Sequence, residues 1–408
     1  MSDKLTVTLP QGQVQRMSAW LQGQLPQFLA DLQTLVNVDC GTANKAGVDA
    51  VGRLFRNQLR RTGCELTEFP LPDYGDCLLA TLRGRGTARV LLSGHLDTVY
   101  PEGTVALRPM RIEGGRILGP GANDMTAGLL AGLYAMRALQ DSGFTDFERI
   151  DFFVNTDEEV GSPVSPRLYR DVAIQSDAAL VLECGRMNGD IVSARKGCST
   201  YRFTVRGRQA HAGVEPQRGA NAIVELARCI HELAALNGLN EGSTVNVGVI
   251  GGGIASNVVP DLAWADVDTR FVSAEAGIAL DRAVRRIAAQ PSVAGTAIEV
   301  SGGVERGPME KTSATAFMVE LARGVAAELG FNFADIQTGG ASDGNYIAAL
   351  GVPTLDGMGP VGGYDHSPDE YLELDSIVPR TALLAGLIAA IAANRSELLQ
   401  NKRMPHDI

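Results

Sequence analysis

Apolar residues in the first half of the chain alternate between the spacing of amphipathic helices and that of short buried strands. Helical spacing covers residues 17–36 and 46–62, and a long apolar helix is predicted from Met125 to Leu139. Short apolar runs predict strands near residues 65–69, 77–83, 88–93, 150–155 and 178–183. This alternation is typical of a three-layer α/β domain with a mixed sheet.

The spacing of apolar residues changes near Ala194. Residues 199–207, which read S-T-Y-R-F-T-V-R-G, alternate polar and apolar side chains as a half-exposed strand does. The elements predicted after them are a helix at 221–236, strands at 244–250 and 262–272, a helix at 274–289 and a strand at 297–300. Their order, β-α-β-β-α-β, is that of a ferredoxin-like fold.

The first pattern resumes after Gly302. The elements predicted there are helices at 312–329, 344–350 and 376–394 and strands at 333–337 and 352–356. We therefore predict one α/β domain formed by residues 1–193 and 303–408, into which residues 194–302 are inserted. A ferredoxin-like element inserted in this way predicts a lid over the α/β domain.

Composition and charge restrict the partners of the chain. A chain of 408 residues is long for one domain, which agrees with the division into two. The net charge of −11, without a cluster of Lys and Arg, argues against a nucleic-acid partner. The six cysteines show no C-x-x-C spacing and are expected to be reduced thiols of a cytoplasmic protein. The N-terminal residues lack the apolar core of a signal peptide, and no apolar run reaches the ~18 residues that span a bilayer, so we expect no membrane partner.

Five short motifs contain almost all of the acids and histidines that could converge on one site. They are S-G-H-L-D-T-V (93–99), G-P-G-A-N-D (119–124), N-T-D-E-E-V-G-S (155–162), L-E-C (182–184) and G-Y-D-H-S (363–367). Four of them follow an apolar run that is typical of a buried strand, and the motif that ends at Asp124 opens a helix. An α/β fold would therefore bring all five motifs to one edge of the sheet. Two histidines and several carboxylates are the ligands that two zinc ions with a shared ligand require.

Each of these residues alone has an ordinary interpretation. Asp124 alone is typical of a helix N-cap. The adjacent acids Glu158 and Glu159 are typical of a solvated turn, and His366 of an exposed loop. Neighbouring acids can also divide two tasks, with one binding metal and the other moving protons. The metal interpretation is favoured because all of them are predicted at the same edge of one sheet.

The motifs together resemble the dizinc hydrolase family that includes glutamate carboxypeptidase, acetylornithine deacetylase and succinyl-diaminopimelate desuccinylase, and the pattern is closest to glutamate carboxypeptidase. The match runs in order through essentially the whole chain. Besides the five motifs it includes R-G-R-Q-A-H-A-G (206–213), S-N-V-V-P (256–260) and T-G-G-A-S-D (338–343). The resemblance implies a homodimer in which the inserted domain serves both as a lid and in dimerisation.

The resemblance also implies two zinc ions, for which Co²⁺ or Mn²⁺ could substitute in vitro. It implies that one zinc is bound by His95, Asp124 and Glu183, and the other by Glu159, His366 and the same Asp124. Asp97 would orient His95, and Glu158 would be the general base. The oxyanion would be stabilised by His211 from a partner subunit and by Asn257, and the substrate carboxylate would be bound by Arg306. One position departs from the family pattern. Thr126 stands where a lysine is common, two residues after the bridging aspartate.

The implied reaction is hydrolysis of an amide bond with release of an amino acid that has a free α-carboxylate. A hydroxide that bridges the zinc ions would attack the carbonyl carbon, with Glu158 as general base. The substrate would be an N-acyl amino acid or a short peptide. In the resembling family, glutamate rather than aspartate at the metal position of Glu183 goes with carboxypeptidases and N-acyl deacylases more than with aminopeptidases. The guanidinium of Arg306 suits bidentate capture of a carboxylate, and a glutamate-type product is favoured.

Three alternatives remain at this point. The first is an aminopeptidase or an acetylornithine-type deacetylase on the same scaffold. The second is a serine hydrolase, because G-A-S-D-G (340–344) matches the nucleophile elbow and Ser342, Asp356 and His366 follow in the required order. This alternative leaves the other acid- and histidine-rich motifs unexplained. The third is a non-catalytic dimer that binds a metal or a ligand.

Overall fold

A mixed six-stranded sheet forms the centre of the first of two structural units. The computed structural model describes residues 12–402. The first unit contains the described residues up to Ala194 together with Lys311–Gln337 and those from Ser342 onward, and the second contains Arg195–Glu310 and Thr338–Ala341. Each unit has a hydrophobic core of its own.

The helices and strands of the described residues are numbered in chain order. The helices are α1 (Gln13–Val36), α2 (Lys45–Arg61), α3 (Thr104–Leu107), α4 (Ala127–Asp141), α5 (Pro166–Ile174), α6 (Ala222–Ala234), α7 (Ala274–Ala288), α8 (Ser313–Leu329), α9 (Asp343–Ala349), α10 (Ile377–Ala393) and α11 (Arg395–Asn401). The strands are β1 (Glu65–Phe69), β2 (Cys77–Arg83), β3 (Arg89–His95), β4 (Arg111–Glu113), β5 (Arg116–Leu118), β6 (Arg149–Asn155), β7 (Ala178–Val181), β8 (Ile191–Arg195), β9 (Gly197–Arg206), β10 (Ala210–His211), β11 (Thr244–Gly252), β12 (Val258–Val259), β13 (Leu262–Phe271), β14 (Ala297–Arg306), β15 (Asp335–Thr338), β16 (Thr354–Leu355), β17 (Gly362–Gly363) and β18 (Tyr371–Glu373).

Side-chain caps fix the starts of several helices. The first turns of α2, α6, α7 and α8 each donate a backbone N–H to the side chain of a cap residue. These cap residues are Asn44, Asn221, Ser273 and Thr312, respectively. Helix α8 ends at Leu329 and is followed by Gly330, whose φ of 84° lies in the left-handed region that favours glycine. These local signals explain why the helices begin within a few residues of their predicted positions.

The six-stranded sheet has the strand order β1-β2-β6-β3-β7-β16. The pairs β6–β3, β3–β7 and β7–β16 are parallel. The pairs β1–β2 and β2–β6 are antiparallel. In the parallel part, Leu92 of β3 pairs with Phe152 of β6 and with Leu180 of β7. The prediction of an α/β fold with a mixed sheet is confirmed.

Helices cover both faces of this sheet. Leu92 and Phe152 point into a core shared with α1, α4, α8 and α10. Their neighbours Leu91 and Phe153 pack on the opposite face with residues of α5 and α9, among them Tyr169. Successive strand residues face opposite sides of a sheet, so burial on both faces requires the continuous apolar runs seen in the sequence.

One segment contradicts the expectation that no apolar stretch is long enough to span a bilayer. Leu374–Ala393 has the length and apolar composition of a membrane span, with a mean hydropathy of 1.8. Asp375 and Arg380 are the charged residues within it. In the structure 72% of an 18-residue window of this segment is buried, and α10 packs between α1, α4 and α8. Its apolar surface therefore belongs to the core of the first unit.

The second unit consists of a four-stranded antiparallel sheet with two helices. The strand order is β11-β13-β9-β14, and the elements follow one another as β9-α6-β11-β13-α7-β14, which is the ferredoxin-like order. Apolar residues of alternate positions, such as Phe203 and Ala265, pack against Leu226 of α6 and Leu280 of α7. A separate two-stranded pair, β10 with β12, was not predicted from the sequence.

Candidate metal centre

Three of the motifs lie at the carboxyl ends of neighbouring parallel strands. His95 is the last residue of β3 and pairs with Asn155, the last residue of β6. Glu159 follows β6 in a short 3₁₀ turn, Glu158–Val160, and Glu183 follows β7 by two residues. Because parallel strands end at the same edge of a sheet, their polar side chains meet there.

Asp124 reaches this edge from an irregular turn that precedes α4. The turn spans Ala122–Thr126, and Asp124 has non-helical angles of φ −108° and ψ 94°. The peptide bond between Asp124 and Met125 is cis. Helix α4 begins at Ala127, with Thr126 in the cap position, so the interpretation of Asp124 as an N-cap and the predicted helix start at Met125 are both wrong.

The close approach of α4 to β7 brings Asp124 near Glu183. A Cβ atom on Gly128 would lie only 1.9 Å from the carbonyl oxygen of Leu182, so no larger residue fits at this position without a shift. Leu182 immediately precedes Glu183. The first turn of α4 therefore lies directly against the backbone that follows β7.

The five predicted metal ligands form one cluster around Asp124. Nε2 of His95 lies 3.3 Å from Asp124 Oδ1 and 3.7 Å from Glu183 Oε1. Nε2 of His366 lies 3.1 Å from Asp124 Oδ2 and 3.2 Å from Glu159 Oε2. Ligand atoms of His95, Asp124 and Glu159 all lie within 4.8 Å of one another, which is the spacing of a metal site. Asp124 is the residue that the two histidines share.

The electrostatics of the cluster favour positive charge. Contacts with Asp124 and Glu159 raise the pKa of His366 to about 11. Burial lowers the pKa of His95, but Asp124 and Asp97 outweigh this effect, so it lies well above its usual value. Burial and the charge of Asp124 raise the pKa of Glu183 well above the ordinary value for a carboxyl. Crowded carboxylates with two imidazoles are a donor set that suits Zn²⁺.

One buried oxygen gives a second indication that the cluster holds a cation. Glu159 Oε1 is buried without a hydrogen-bond donor in the part of the chain that the structure describes. Its partner atom Oε2 faces His366. A buried carboxylate oxygen is costly unless a donor or a metal ion compensates it, so the residues present fit the metal ions that the resemblance implies.

Asp97 connects His95 to the turn that carries the two glutamates. Its backbone oxygen lies 2.9 Å from His95 Nδ1, whereas its carboxylate is 3.5 Å away. The carbonyl therefore accepts the Nδ1 proton and leaves Nε2 for the cluster. The Asp97 carboxylate accepts the backbone N–H of Glu158 at 3.3 Å and of Glu159 at 3.2 Å, and the hydroxyl of Thr42 at 2.7 Å.

Two buried carboxylates beside the cluster were missed in the sequence analysis. Asp343, at the start of α9, accepts hydrogen bonds from Asn155 and from Ser162, which flank the Glu158–Glu159 pair. Glu370 accepts backbone N–H groups from the turn that carries Asp124. Burial raises the pKa of Glu370 to about 7. The acid that closes the sequence D-H-S-P-D-E, four residues after His366, was the only available signal for Glu370.

His211, Asn257 and Arg306 belong to the second unit. His211 lies in β10, and its Nδ1 accepts the N–H groups of Gly213 and Val214, both at 3.2 Å. The ring proton of the neutral imidazole is therefore on Nε2, where it can be donated. The backbone oxygen of Asn257 accepts the N–H of Ala212, so this loop lies beside His211. Arg306 is the last residue of β14 and is largely buried.

Ser342 acts as a helix cap. Its Oγ donates to Asp356 at 2.5 Å and accepts the backbone N–H of Gly344 at 3.0 Å, which starts α9. The imidazole of His366 instead faces Asp124 and Glu159. The serine-hydrolase alternative loses its support, because the hydroxyl of Ser342 bonds to Asp356, whereas the base it would need, His366, faces the acid cluster.

A cluster of this kind at the ends of parallel strands is typical of metallohydrolases. A model of the peptidase family M20/M25/M40 matches residues 91–390, which is most of the chain, and the protein belongs to this family. The resemblance drawn from the motifs is thereby confirmed.

Related proteins cover several activities within this family. The chain is 28% identical over 375 residues to carboxypeptidase G2 of Pseudomonas sp. (strain RS-16), with 91% of this chain and 90% of the relative covered. It is 30% identical over 317 residues to succinyl-diaminopimelate desuccinylase of Cereibacter sphaeroides (strain ATCC 17025 / ATH 2.4.3), with 71% and 80% covered. The crystal structure of aminopeptidase PepT from Bacillus cereus ATCC 10987 shares the fold, with a TM-score of 0.78, 24% identity and 90% and 99% coverage. What this chain shares with these relatives is the general class of the family, that of metallopeptidases and deacylases.

Proposed function

We propose that the protein is a dizinc hydrolase that cleaves the amide bond of an N-acyl amino acid or short peptide and releases an amino acid with a free α-carboxylate. A glutamate-type product is favoured. The observation that carries the proposal is the position of Asp124 between His95 and His366, at 3.3 Å and 3.1 Å. A shared carboxylate between two sets of nitrogen and oxygen donors is what a pair of metal ions requires.

Each ion has three protein ligands in this proposal. His95, Asp124 and Glu183 hold one zinc, and Glu159, His366 and the same Asp124 hold the other. When bound, the ions supply a water of lowered pKa and a positive charge for the carbonyl oxygen of the substrate. The three carboxylates nearly balance the charge of the two ions, which makes a buried cluster tolerable.

Glu158 moves the proton in the reaction. It stands next to the ligand Glu159 in the turn that Asp97 anchors through two backbone N–H groups. After burial and Asp124, the negative charge of Glu158 adds to the raised pKa of Glu183. As general base it takes a proton from water, and it then gives that proton to the leaving amine.

The second unit contributes the groups that recognise the substrate. Nε2 of His211 carries a donor proton, and with Asn257 it would stabilise the oxyanion from a partner subunit. Arg306 would hold the α-carboxylate of the substrate, because its guanidinium can donate two parallel hydrogen bonds to one carboxylate. The same unit would then serve as a lid over the metal centre.

A homodimer in which the second unit forms the interface is part of the proposal. Strand β11 is an edge strand of its sheet. Val249 and Ile250 of β11 are 51% and 64% exposed, and Val224 at the start of α6 is 55% exposed. An exposed apolar edge strand is the kind of surface that pairs with a second chain. The dimer is expected in the cytoplasm, where six buried free cysteines stay reduced.

A substrate screen tests the proposed activity. The zinc-loaded protein is incubated with N-acetylglutamate, N-acetylornithine, N-succinyl-diaminopimelate, dipeptides that end in glutamate, and tripeptides with a free amine. The released amines are then quantified by chromatography. We expect turnover of the glutamate compounds and loss of this turnover after chelation of the metal. Substrates with an esterified α-carboxylate should be turned over much more slowly. Turnover restricted to peptides with a free N-terminal amine, indifferent to the carboxylate, would identify an aminopeptidase instead.

A further inference from the structure

The carboxylate of Glu370 accepts four hydrogen bonds in the interior of the first unit. Oε1 accepts the backbone N–H of Asn123 at 2.8 Å and of Asp124 at 3.0 Å. Oε2 accepts the N–H of Gly121 at 3.0 Å and the hydroxyl of Tyr100 at 2.7 Å. The side chain is almost entirely buried, with 1% of the residue exposed. These donors use about all of the acceptor positions that a carboxylate offers, so Glu370 has none left for a metal ion.

The turn that carries Asp124 needs such an acceptor. Its backbone is non-helical at Asp124 and Met125, so its N–H groups do not follow a regular helical pattern before α4 begins. Buried N–H groups are costly unless an acceptor is found. One side chain that accepts three of these N–H groups compensates most of the irregular turn at once.

The same network reaches the loop that carries His366. The hydroxyl of Tyr100 lies 2.8 Å from the backbone oxygen of Ser367 as well as close to Glu370. The N–H of Glu370 donates to Ser367 O at 3.3 Å. His366 itself has a φ of 61°, a conformation that a non-glycine residue keeps only when its surroundings hold it.

We infer, on the basis of the proposed dizinc site, that Glu370 is a positioning residue of the metal centre, which fixes the Asp124 turn against the His366 loop so that Asp124 and His366 face the ion they share. Asp124 is the shared ligand, and a small rotation of its turn would move its two oxygens away from both histidines at once. Glu370 acts on the metal site through the backbone of this ligand, without contacting the ions.

The test compares Glu370→Gln with Glu373→Gln. Glu373 lies on the adjacent strand β18 and pairs at the surface with Arg116 at 3.0 Å, so its substitution is a matched control. The glutamine at 370 keeps the shape of the side chain but turns one acceptor into a donor that faces N–H groups. Zinc affinity is measured by competition with a chromophoric chelator, and the ligand geometry by the absorption bands of the Co²⁺-loaded protein. Unfolding of the metal-free protein in urea gives its stability.

We expect Glu370→Gln to weaken zinc binding by about 10–100-fold, the usual effect of removing an outer partner of a metal ligand. Its Co²⁺ bands should shift at saturating metal, and Glu373→Gln should match the wild type in both measurements. Unchanged zinc affinity and unchanged Co²⁺ bands, with only a loss of metal-free stability, would overturn the inference. If Glu370→Gln does not fold, Tyr100→Phe takes its place, because it removes only the phenol donor. A smaller loss of zinc affinity is then expected, and wild-type affinity would refute the network.

Discussion

Oδ2 of Asp124 lies 3.1 Å from Nε2 of His366, although 242 residues separate them in the chain. Oδ1 of the same carboxylate faces His95 at 3.3 Å. One side chain therefore joins the histidine at the end of β3 to the histidine from the C-terminal part of the chain. In the proposed dizinc site, Asp124 would contribute to both ions, whereas each histidine would contribute to one.

Replacement of Asp124 by alanine should remove both metal ions. Each ion would lose one of its three protein ligands, and the two histidines would lose the carboxylate between them. Elemental analysis after dialysis should find close to two divalent ions per wild-type chain and almost none in Asp124→Ala. Asp141→Ala, at the exposed end of α4, is the control and should keep both ions. One ion retained at full occupancy in Asp124→Ala would contradict the shared-ligand assignment.

Replacement of Gly128 by alanine should strain the contact that holds α4 against β7. The new Cβ would meet the carbonyl oxygen of Leu182 at 1.9 Å, so the helix or the strand end must move. We expect a loss of about 1–3 kcal/mol in the free energy of unfolding and weaker zinc binding, because Asp124 and Glu183 sit at the two ends of this contact.

The control for Gly128 lies in a different helix. Gly23 of α1 has no atom within 4 Å of its added Cβ. Gly23→Ala should raise the unfolding free energy by up to ~1 kcal/mol, because alanine favours the helix. Equal stability of the two variants in urea would show that the Gly128 contact is not tight.

The strands and their terminal motifs were predictable because burial on both faces requires a continuous apolar run. The run that ends at His95 and the run that ends at Asn155 therefore marked β3 and β6 directly. Strands β4, β5, β17 and β18 have two or three residues each, too few to show a period. The helix before the insertion, α5, was also missed.

The residues that position the proposed metal ligands were less predictable from the sequence than the ligands themselves. Glu370 lies in a loop rich in glycine and proline, and its partner Gly121 is 249 residues away, so no local spacing connects them. The turn at Asp124 looks like the start of a helix in the sequence, because its non-helical backbone is set by the contacts around it. Ligands follow strand ends, which the pattern marks, whereas their positioning depends on tertiary contacts.

Glu158→Ala should separate catalysis from metal binding. The variant keeps all five proposed ligands, so it should bind zinc with wild-type stoichiometry and fold normally. Its turnover should fall by about 10²–10⁴-fold, because the group that moves the proton is gone. Both quantities are measured on the same preparation, by elemental analysis and by amine release. Turnover near the wild-type rate in a fully loaded variant would exclude Glu158 as the base.

Mixing of two inactive variants should show whether His211 acts across a dimer. A His211→Ala chain keeps Glu158, and a Glu158→Ala chain keeps His211, so a mixed dimer would contain one complete site. After subunit exchange, about one quarter of the wild-type activity is expected, since half of the dimers are mixed and each has one active site. Exchange is verified with differently labelled chains. Without recovery in exchanged dimers, His211 must act within its own chain or have no role in the reaction.

Arg306→Ala should reveal the class of substrate. If the guanidinium holds the α-carboxylate, its loss should raise KM strongly for N-acyl amino acids and change kcat less, because binding before the reaction is affected most. Arg306→Lys keeps the charge but loses the two-pronged donor, so its KM should fall between the two. Esterification of the substrate carboxylate should reduce kcat/KM far more in the wild type than in Arg306→Ala, since the variant has already lost that contact. An equal effect of esterification on both proteins would mean that Arg306 does not bind the substrate carboxylate. A wild type that prefers peptides with a free N-terminal amine would show that the enzyme recognises the amino end of its substrate.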